Sequence, residues 1–369
     1  MKPTVLFSVL FLCFSFFQRT VRAQEIPRHS LSFSPVLGTH LLPENDHTFN
    51  DPIPGLDIVY GFNLRGKEDA WIQKLRAREF GLALTFRDLN RLDGHLDTSA
   101  NSFGKAYGIS ASLEFELAAA GPVHFYLVPS VGLSYISKNY FTHPDNRFIG
   151  SHLNQLLKAA LQMEVPLGEN FSALANFHVL HLSNGGFNIP NSGINTGNIS
   201  VGIKSRFGPE PYRKTRDNFT PLERNTFEVL AGIGRRGVYE SHDGFFKSGL
   251  YAGYNYRLNE VLDLKAGLNA VYYYSVFDPQ RHRETYQHYG TSYDPWRLGL
   301  SLGAAVKMSR FEVKGLFGRY LYYNSFHDIH YYWNSGLSYL FTPHLGLQST
   351  LHMHRFQADF VDLGFIVKL

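Results

Sequence analysis

The residues best suited to chemistry in this sequence are a histidine and a serine two positions apart, His181 and Ser183. A serine hydroxyl is a weak nucleophile until a neighbouring imidazole takes its proton, and a third polar group must fix the imidazole tautomer. The loop 184–193 that follows is rich in glycine, which allows backbone angles that aim amide N–H groups at a developing oxyanion. This spacing predicts a nucleophilic hydrolase site.

Both residues lie at the end of a strand that we predict over residues 170–183. Side chains of a strand alternate between two faces, so His181 and Ser183 share one face. That face is otherwise apolar and carries Ala173, Ala175, Phe177 and Val179. Asn195 opens the next predicted strand, in step with the apolar face of that strand. If both chain ends lie on one side of a membrane barrel, odd-numbered strands run outward, and the three polar residues meet on the outer wall at the external rim.

Strands of this alternating kind recur along the chain. Segments of about ten to fourteen residues alternate apolar and polar side chains and end at Asn, Asp, Gly or Pro, whereas the 3.6-residue spacing of amphipathic helices is almost missing. Two classes of protein fit this pattern, a large soluble β protein and a transmembrane β-barrel. Four aromatic clusters near strand ends favour the membrane, because such rings prefer the headgroup level. The clusters are 251–256, 272–274, 320–323 and 331–333.

The predicted fold class is therefore all-β, a transmembrane antiparallel β-barrel of the bacterial outer membrane. Sixteen strands are predicted, eight before and eight after a polar, proline-containing stretch at 208–225. They are 28–41, 55–66, 79–89, 104–117, 123–136, 149–167, 170–183, 195–207, 226–238, 245–259, 261–276, 297–308, 310–323, 330–343, 345–357 and 358–369. Two arrangements remain open: two eight-stranded units, 24–207 and 226–369, or one wide barrel of 14–16 strands.

The first 23 residues are predicted to be a cleaved signal peptide. A short basic start precedes an apolar run that is too short for a membrane helix, and Val21-Arg22-Ala23 is a small-x-small cleavage site. The only cysteine, Cys13, lies in this segment, so disulfides and cysteine metal sites are not expected in the mature chain. The three basic residues of the predicted signal peptide account for most of the formal net charge of +4, so the mature chain keeps +1. Nucleic acid is therefore not an expected partner, and no cofactor or metal is predicted.

The residues around the serine resemble a known signature. The pattern His181-x-Ser183-Asn184-x-Gly186, followed by Pro190-Asn191-x-Gly193-Ile194, is similar to that of the PagL family of lipid A 3-O-deacylases. That family consists of eight-stranded outer-membrane barrels with a His–Ser–Glu triad on the outer wall. The resemblance covers about half of the chain, and residues beyond the eighth strand have no counterpart in the family's small barrel.

The resemblance implies a role for each matched residue. Ser183 would be the nucleophile and His181 the general base, while the Gly186 amide and the Asn191 side chain, supported by Asn184, would form the oxyanion hole. The family's acid falls at position 195, which is Asn here. A carboxamide can orient a histidine but cannot stabilise an imidazolium by charge. Three explanations stay open: reduced activity, a working Asn195, or a carboxylate supplied by a neighbouring strand.

The function implied is hydrolysis of an ester-linked acyl chain of lipid A, the lipopolysaccharide anchor of the outer leaflet. Apolar residues below the site would hold the acyl chain, so the membrane and lipid A are the expected partners; the oligomeric state stays open.

Two other functions are also considered. A single sixteen-stranded barrel would be wide enough for a pore or transporter, and the altered residue at 195 would fit a catalytically decayed relative.

Overall fold

A computed structural model describes residues 27–41, 52–92, 103–209, 223–277, 292–325, 327–355 and 357–369. The predicted signal peptide and residues 210–222 of the predicted linker lie outside these ranges, so the proposed division of the chain stays a prediction. Within the described ranges, helices are limited to α1 (Ala70–Lys74) and one 3-10 turn (Leu89–Arg91). No helix in these ranges is long and apolar enough to cross a membrane.

Sixteen antiparallel strands form two closed barrels of eight. The first barrel consists of β1 (His29–His40), β2 (Ile53–Asn63), β3 (Ala77–Asp88), β4 (Lys105–Ala120), β5 (Val123–Ile136), β6 (Leu153–Pro166), β7 (Phe171–Ser183) and β8 (Ile194–Phe207). The second consists of β9 (Asn225–Gly237), β10 (Gly244–Arg257), β11 (Leu262–Tyr273), β12 (Trp296–Met308), β13 (Phe311–Tyr322), β14 (Tyr331–Leu340), β15 (Leu345–His354) and β16 (Gln357–Lys368).

Strand closure decides between the two predicted arrangements. β1 pairs with β8, and β16 pairs with β9, so each set of eight closes on itself. The prediction of two sets of eight is confirmed, and the alternative of one wide barrel is wrong. The largest difference in a strand start is that of β6, which begins at Leu153 rather than at 149. Residues 146–150 turn instead, since the Asn146 side-chain oxygen accepts the N–H groups of Phe148 and Ile149, both at 3.2 Å.

The barrel walls are apolar outside and polar inside. In β1, Ser30, Ser32 and Ser34 are buried, whereas Leu31 and Phe33 are 46% and 52% exposed. A soluble sandwich would bury the apolar set, but a barrel in lipid exposes it and turns the polar set towards the lumen. The alternation read from the sequence therefore has the polarity of an outer-membrane barrel.

The lumen of the first barrel is filled by paired charges. The Lys204 ammonium, 2% exposed, lies within 3.4 Å of carboxylate oxygens of three glutamates: Glu79, Glu114 and Glu164. Nearer the other end, Asp57 binds Arg87 at 2.8 Å and Lys158 at 3.0 Å. Buried charges need partners, and eight strands leave a lumen just wide enough for side chains to fill.

The second barrel repeats this principle with other residues. Lys265 contacts Glu228 at 2.6 Å and Glu312 at 2.8 Å, and Lys368 adds a second cation 2.5 Å from Glu312. Along the described strands, both lumens therefore hold interlocked ion pairs. This filling disfavours the pore that we considered from the sequence.

A compact apolar cluster closes the first barrel at its distal end, where β1, β3, β5 and β7 finish. Its members are Ile53, Leu89, Leu92, Phe103, Ala106, Ile136, Phe148, Ile149, Leu156, Leu180, Leu182 and Ile194. Leu180 and Leu182 flank His181 in sequence and point inward, so His181 must point outward. The cluster thus fixes which face the distal ends of β7 and β8 present to the outside.

We predict that Lys204→Met destabilises the first barrel, because it leaves three buried carboxylates with too little positive charge. The expected loss of unfolding free energy is about 3–5 kcal/mol, the usual result of removing one partner from a buried ion pair. Urea titration in detergent, followed by heat-modifiable gel mobility, measures it. Lys105→Met is the control; Lys105 is exposed at the start of β4, and its replacement should change stability by less than about 0.5 kcal/mol. Equal stability of the two variants would contradict the role of Lys204.

Candidate active site

The register of β7 and β8 brings three of the predicted site residues together. His181 is the direct cross-strand partner of Asn195. Its Nδ1 lies 2.7 Å from Asn195 Oδ1, and its Nε2 lies 2.8 Å from Ser183 Oγ. The three side chains therefore form one hydrogen-bonded chain on the outer face of the distal rim, where strand parity predicts them.

The Asn195 oxygen selects one tautomer of the imidazole. A carboxamide oxygen can only accept, so Nδ1 of His181 must carry the proton and donate it to Asn195. Nε2 is then the lone-pair nitrogen and accepts the hydrogen of the Ser183 hydroxyl. This is the orientation in which a histidine acts as a general base towards serine. In the described part of the chain, no carboxylate lies within ion-pair distance of His181, so the imidazolium would face a dipole rather than a charge.

The loop after Ser183 is organised by Asn184. Its backbone N–H donates to Asn191 Oδ1 at 2.9 Å, and its own side-chain oxygen accepts the Gly186 N–H at 3.0 Å. The first bond leaves the NH2 of Asn191 as the donor end of that side chain. The second bond engages the Gly186 N–H, which serves an oxyanion only by sharing its hydrogen or changing partner. The oxyanion roles of Gly186 and Asn191 therefore stay predictions.

Gly193, which closes this loop, has a part that the sequence reasoning missed. Its φ is +78°, and a Cβ there would lie 2.8 Å from Cε1 of His181 and 3.4 Å from Cβ of Ser183. Its N–H donates to the Phe148 carbonyl at 3.1 Å, so the loop end is tied to the β5–β6 connection. A glycine directly before a returning strand is the one sequence signal that pointed to this close approach.

Below the site, the outer wall is apolar and exposed. Val179 pairs with Gly197, and Phe177 pairs with Ile199 on the same face. Phe177 and Ile199 are 53% and 61% exposed. Gly197 makes room for the Leu41 side chain, which packs over it and would lie 2.7 Å from a Cβ added at 197. The wall is therefore apolar up to the level of Ser183, which is itself 8% exposed.

The described residues contain no group of three or more His, Cys, Asp or Glu placed to hold a metal ion. In the second barrel, the two histidines of the predicted strand 345–357 have separate partners. His352 Nε2 lies 2.9 Å from Asp362 Oδ2, whereas His354 Nε2 lies 2.6 Å from the Tyr320 hydroxyl.

Two family models match the chain. The model described as lipid A 3-O-deacylase (PagL) matches residues 60–204, and the model described as the C-terminal domain of acyloxyacyl hydrolase matches residues 225–369. Each match is 145 residues long, so that together they account for 290 of the 369 residues. No curated protein sequence matches the chain.

The comparison with solved structures gives matches of low sequence identity. The outer membrane enzyme PagL is 16% identical, with a TM-score of 0.33, and the match covers 48% of this chain and 99% of that one. Neisserial surface protein A is 14% identical, also with a TM-score of 0.33, over 48% of this chain and 97% of that one. The FrpB iron transporter of Neisseria meningitidis is 9% identical with a TM-score of 0.25, over 93% and 69%.

We predict that Gly193→Ala separates the imidazole from the serine, because the new methyl group collides with His181 in an already unfavourable backbone conformation. The rate at which a fluorophosphonate probe labels Ser183 should fall by about tenfold or more, in line with the cost of misplacing a catalytic group. Gly168→Ala is the matched control, since a Cβ there meets nothing within 4 Å. Unchanged labelling of a folded Gly193→Ala barrel would show that the close approach does not matter.

Proposed function

We propose that Ser183 and His181 carry out the deacylation of lipid A as a serine hydrolase pair. The chain belongs to the PagL family of lipid A 3-O-deacylases and is an outer-membrane β-barrel. The observation that supports this most strongly is the hydrogen-bond chain from Ser183 Oγ through His181 to Asn195 Oδ1. It lies on the outer wall, on the side from which a lipid substrate arrives.

The proposed reaction has two halves. Ser183 Oγ attacks the ester carbonyl of the acyl chain while Nε2 of His181 takes the hydroxyl proton. The tetrahedral intermediate collapses, its sugar alkoxide leaves with the proton from His181, and the acyl chain stays on Ser183 as an ester. Water then attacks this ester with His181 again as base, so that a free fatty acid leaves and the Ser183 hydroxyl is restored.

The surroundings of the site favour a lipid substrate. The apolar wall formed by Phe177, Val179 and Ile199 lies directly below Ser183 on the same face. An acyl chain held along it stays in hydrocarbon while its ester reaches the rim. The negative charge of the oxyanion would be met by the NH2 of Asn191 and by the Gly186 N–H, provided that the latter is released from Asn184.

Asn195 replaces the acid of the family, and we propose that it is a working substitute. A carboxylate fixes the tautomer and also stabilises the imidazolium; the carboxamide retains the first effect and loses the second. The intact hydrogen bond at 2.7 Å favours an active enzyme with reduced turnover over a decayed one. The filled lumens give no support to a pore.

We predict that Ser183→Ala abolishes deacylation of lipid A. Expression of the wild-type and variant proteins in a lipopolysaccharide-producing host, followed by mass spectrometry of lipid A, should show loss of one acyl chain with the wild type only. Ser192→Ala is the control, because it removes an exposed hydroxyl from the same loop. Identical acylation patterns for the wild type and Ser183→Ala would refute the serine mechanism.

We predict opposite effects for two near-isosteric changes at position 195. Asn195→Asp adds the missing charge beside Nδ1 and should raise kcat about tenfold, because a charge-assisted hydrogen bond is about twice as strong as a neutral one. Asn195→Leu removes the acceptor and should lower kcat by a factor on the order of 10² to 10⁴ through loss of the tautomer. Kinetics with lipid A in detergent micelles measures both. A Leu variant as active as the wild type would mean that Asn195 does not orient His181.

A further inference from the structure

The loop at residues 184–193, called here the active-site loop of the first barrel, is attached to the second barrel. The Gly237 N–H donates to the Gly186 carbonyl at 2.9 Å, and the Glu240 N–H donates to the Ile189 carbonyl at 3.2 Å. Ile189 also pairs with Tyr239 as a parallel β-bridge. Residues 186–189 thus continue the backbone pairing of the second barrel, just beyond the end of β9.

Arg235 adds a side-chain clamp to this pairing. One guanidinium nitrogen lies 2.9 Å from the Phe187 carbonyl and 3.1 Å from Asn188 Oδ1. The other terminal nitrogen donates to the His242 carbonyl of its own hairpin at 2.6 Å. The guanidinium carbon also lies 4.8 Å from the centroid of the Phe187 ring. A single side chain therefore joins two successive loop residues to the β9–β10 hairpin.

The same hairpin contacts the β5–β6 connection of the first barrel. The rings of Phe141 and His242 stack with centroids 4.0 Å apart. Burial and a hydrogen bond to the Glu240 carboxylate raise the pKa of the Tyr140 phenol. The attachment is therefore a surface with several contacts, and Arg235 lies at the part of it that touches the active-site loop.

Two glycines allow the second barrel to come this close. A Cβ at Gly185 would lie 2.4 Å from the Val361 side chain, and one at Gly186 would lie 3.3 Å from the Arg236 guanidinium. Arg236 itself is held by the carbonyls of Ala358 and Asp359, at 2.6 and 2.8 Å. Both glycines also have positive φ, +65° and +88°. The loop thus fits β9 and β16 of the second barrel as well as its own strand ends.

We propose that the second barrel positions the active-site loop of the first, with Arg235 as the positioning residue. The inference rests on the proposed function, because the loop that Arg235 holds carries Gly186 and leads to Asn191 and Gly193. Arg235 acts through residues 187 and 188 and touches no reacting atom. Small displacements of such a loop cost rate rather than affinity, since the oxyanion donors must meet a charge that develops only in the transition state.

Kinetics of the full-length protein on lipid A in detergent micelles tests this. Arg235→Ala should lower kcat about ten- to hundredfold with KM changed less than threefold. Arg235→Lys keeps the charge but can bond only one of the two loop acceptors, the Phe187 carbonyl or Asn188 Oδ1. Its kcat should lie between those of the wild type and Arg235→Ala. Arg224→Ala is the matched control: at the opposite end of the same barrel, Arg224 also bonds a backbone carbonyl, that of Arg257, and covers an aromatic ring, Tyr256. It should leave kcat unchanged.

A covalent substitute for the clamp separates positioning from folding. Ile189→Cys and Tyr239→Cys place thiols at bridged positions in a chain whose one cysteine lies in the predicted signal peptide. In an Arg235→Ala background, oxidation should restore kcat, and reduction should remove the gain. The positioning role would be overturned by a wild-type kcat in Arg235→Ala, by an effect on KM alone, or by no recovery of kcat on oxidation. In each of these cases the wild type is active and Ser183→Ala is not. If the wild type itself matches Ser183→Ala, the proposed function is what has failed.

Discussion

The structure depends on one constraint: in a hydrocarbon environment each backbone N–H and C=O must find a partner within the protein. A sheet meets this demand only by closing, and here it closes twice, through β1 with β8 and through β9 with β16. Closure fixes the register of every strand pair, and register fixes which side chains meet. The partnership of His181 with Asn195 follows from the same ladder that removes the free edges of the first barrel.

Closing at eight strands also determines where chemistry can occur. The lumen is too narrow for a substrate and is occupied by paired charges such as Lys204 with its three glutamates. A reacting group that serves a lipid must therefore lie on the outer wall. Ser183, the proposed nucleophile, lies on that wall at the distal rim, where the apolar face gives way to the loop.

The sequence predicted those parts of the fold and site that depend on period two. Alternation located all sixteen strands, and parity put His181, Ser183 and Asn195 on one face at one end. It could not predict the start of β6, because the Asn146 turn replaces what reads as strand. It also could not predict Arg235 or Gly237, since their contacts depend on how two closed barrels lie against each other. Side-by-side packing leaves no periodic trace in either barrel.

Asn195 stands where the resemblance to the family implies an acid. Two features together account for it: the hydrocarbon at the outer rim and the attachment of the loop to the second barrel. The outer rim borders hydrocarbon, where an ionised carboxylate loses hydration and must be compensated. A carboxamide avoids that cost and still fixes the tautomer of His181, but it leaves the imidazolium without a countercharge. In the proposed mechanism, stabilisation of the transition state then depends more heavily on the loop, which carries the proposed oxyanion donors. The second barrel holds this loop at residues 186–189. In the proposed mechanism, the attachment and the neutral residue at 195 are therefore complementary features of one site.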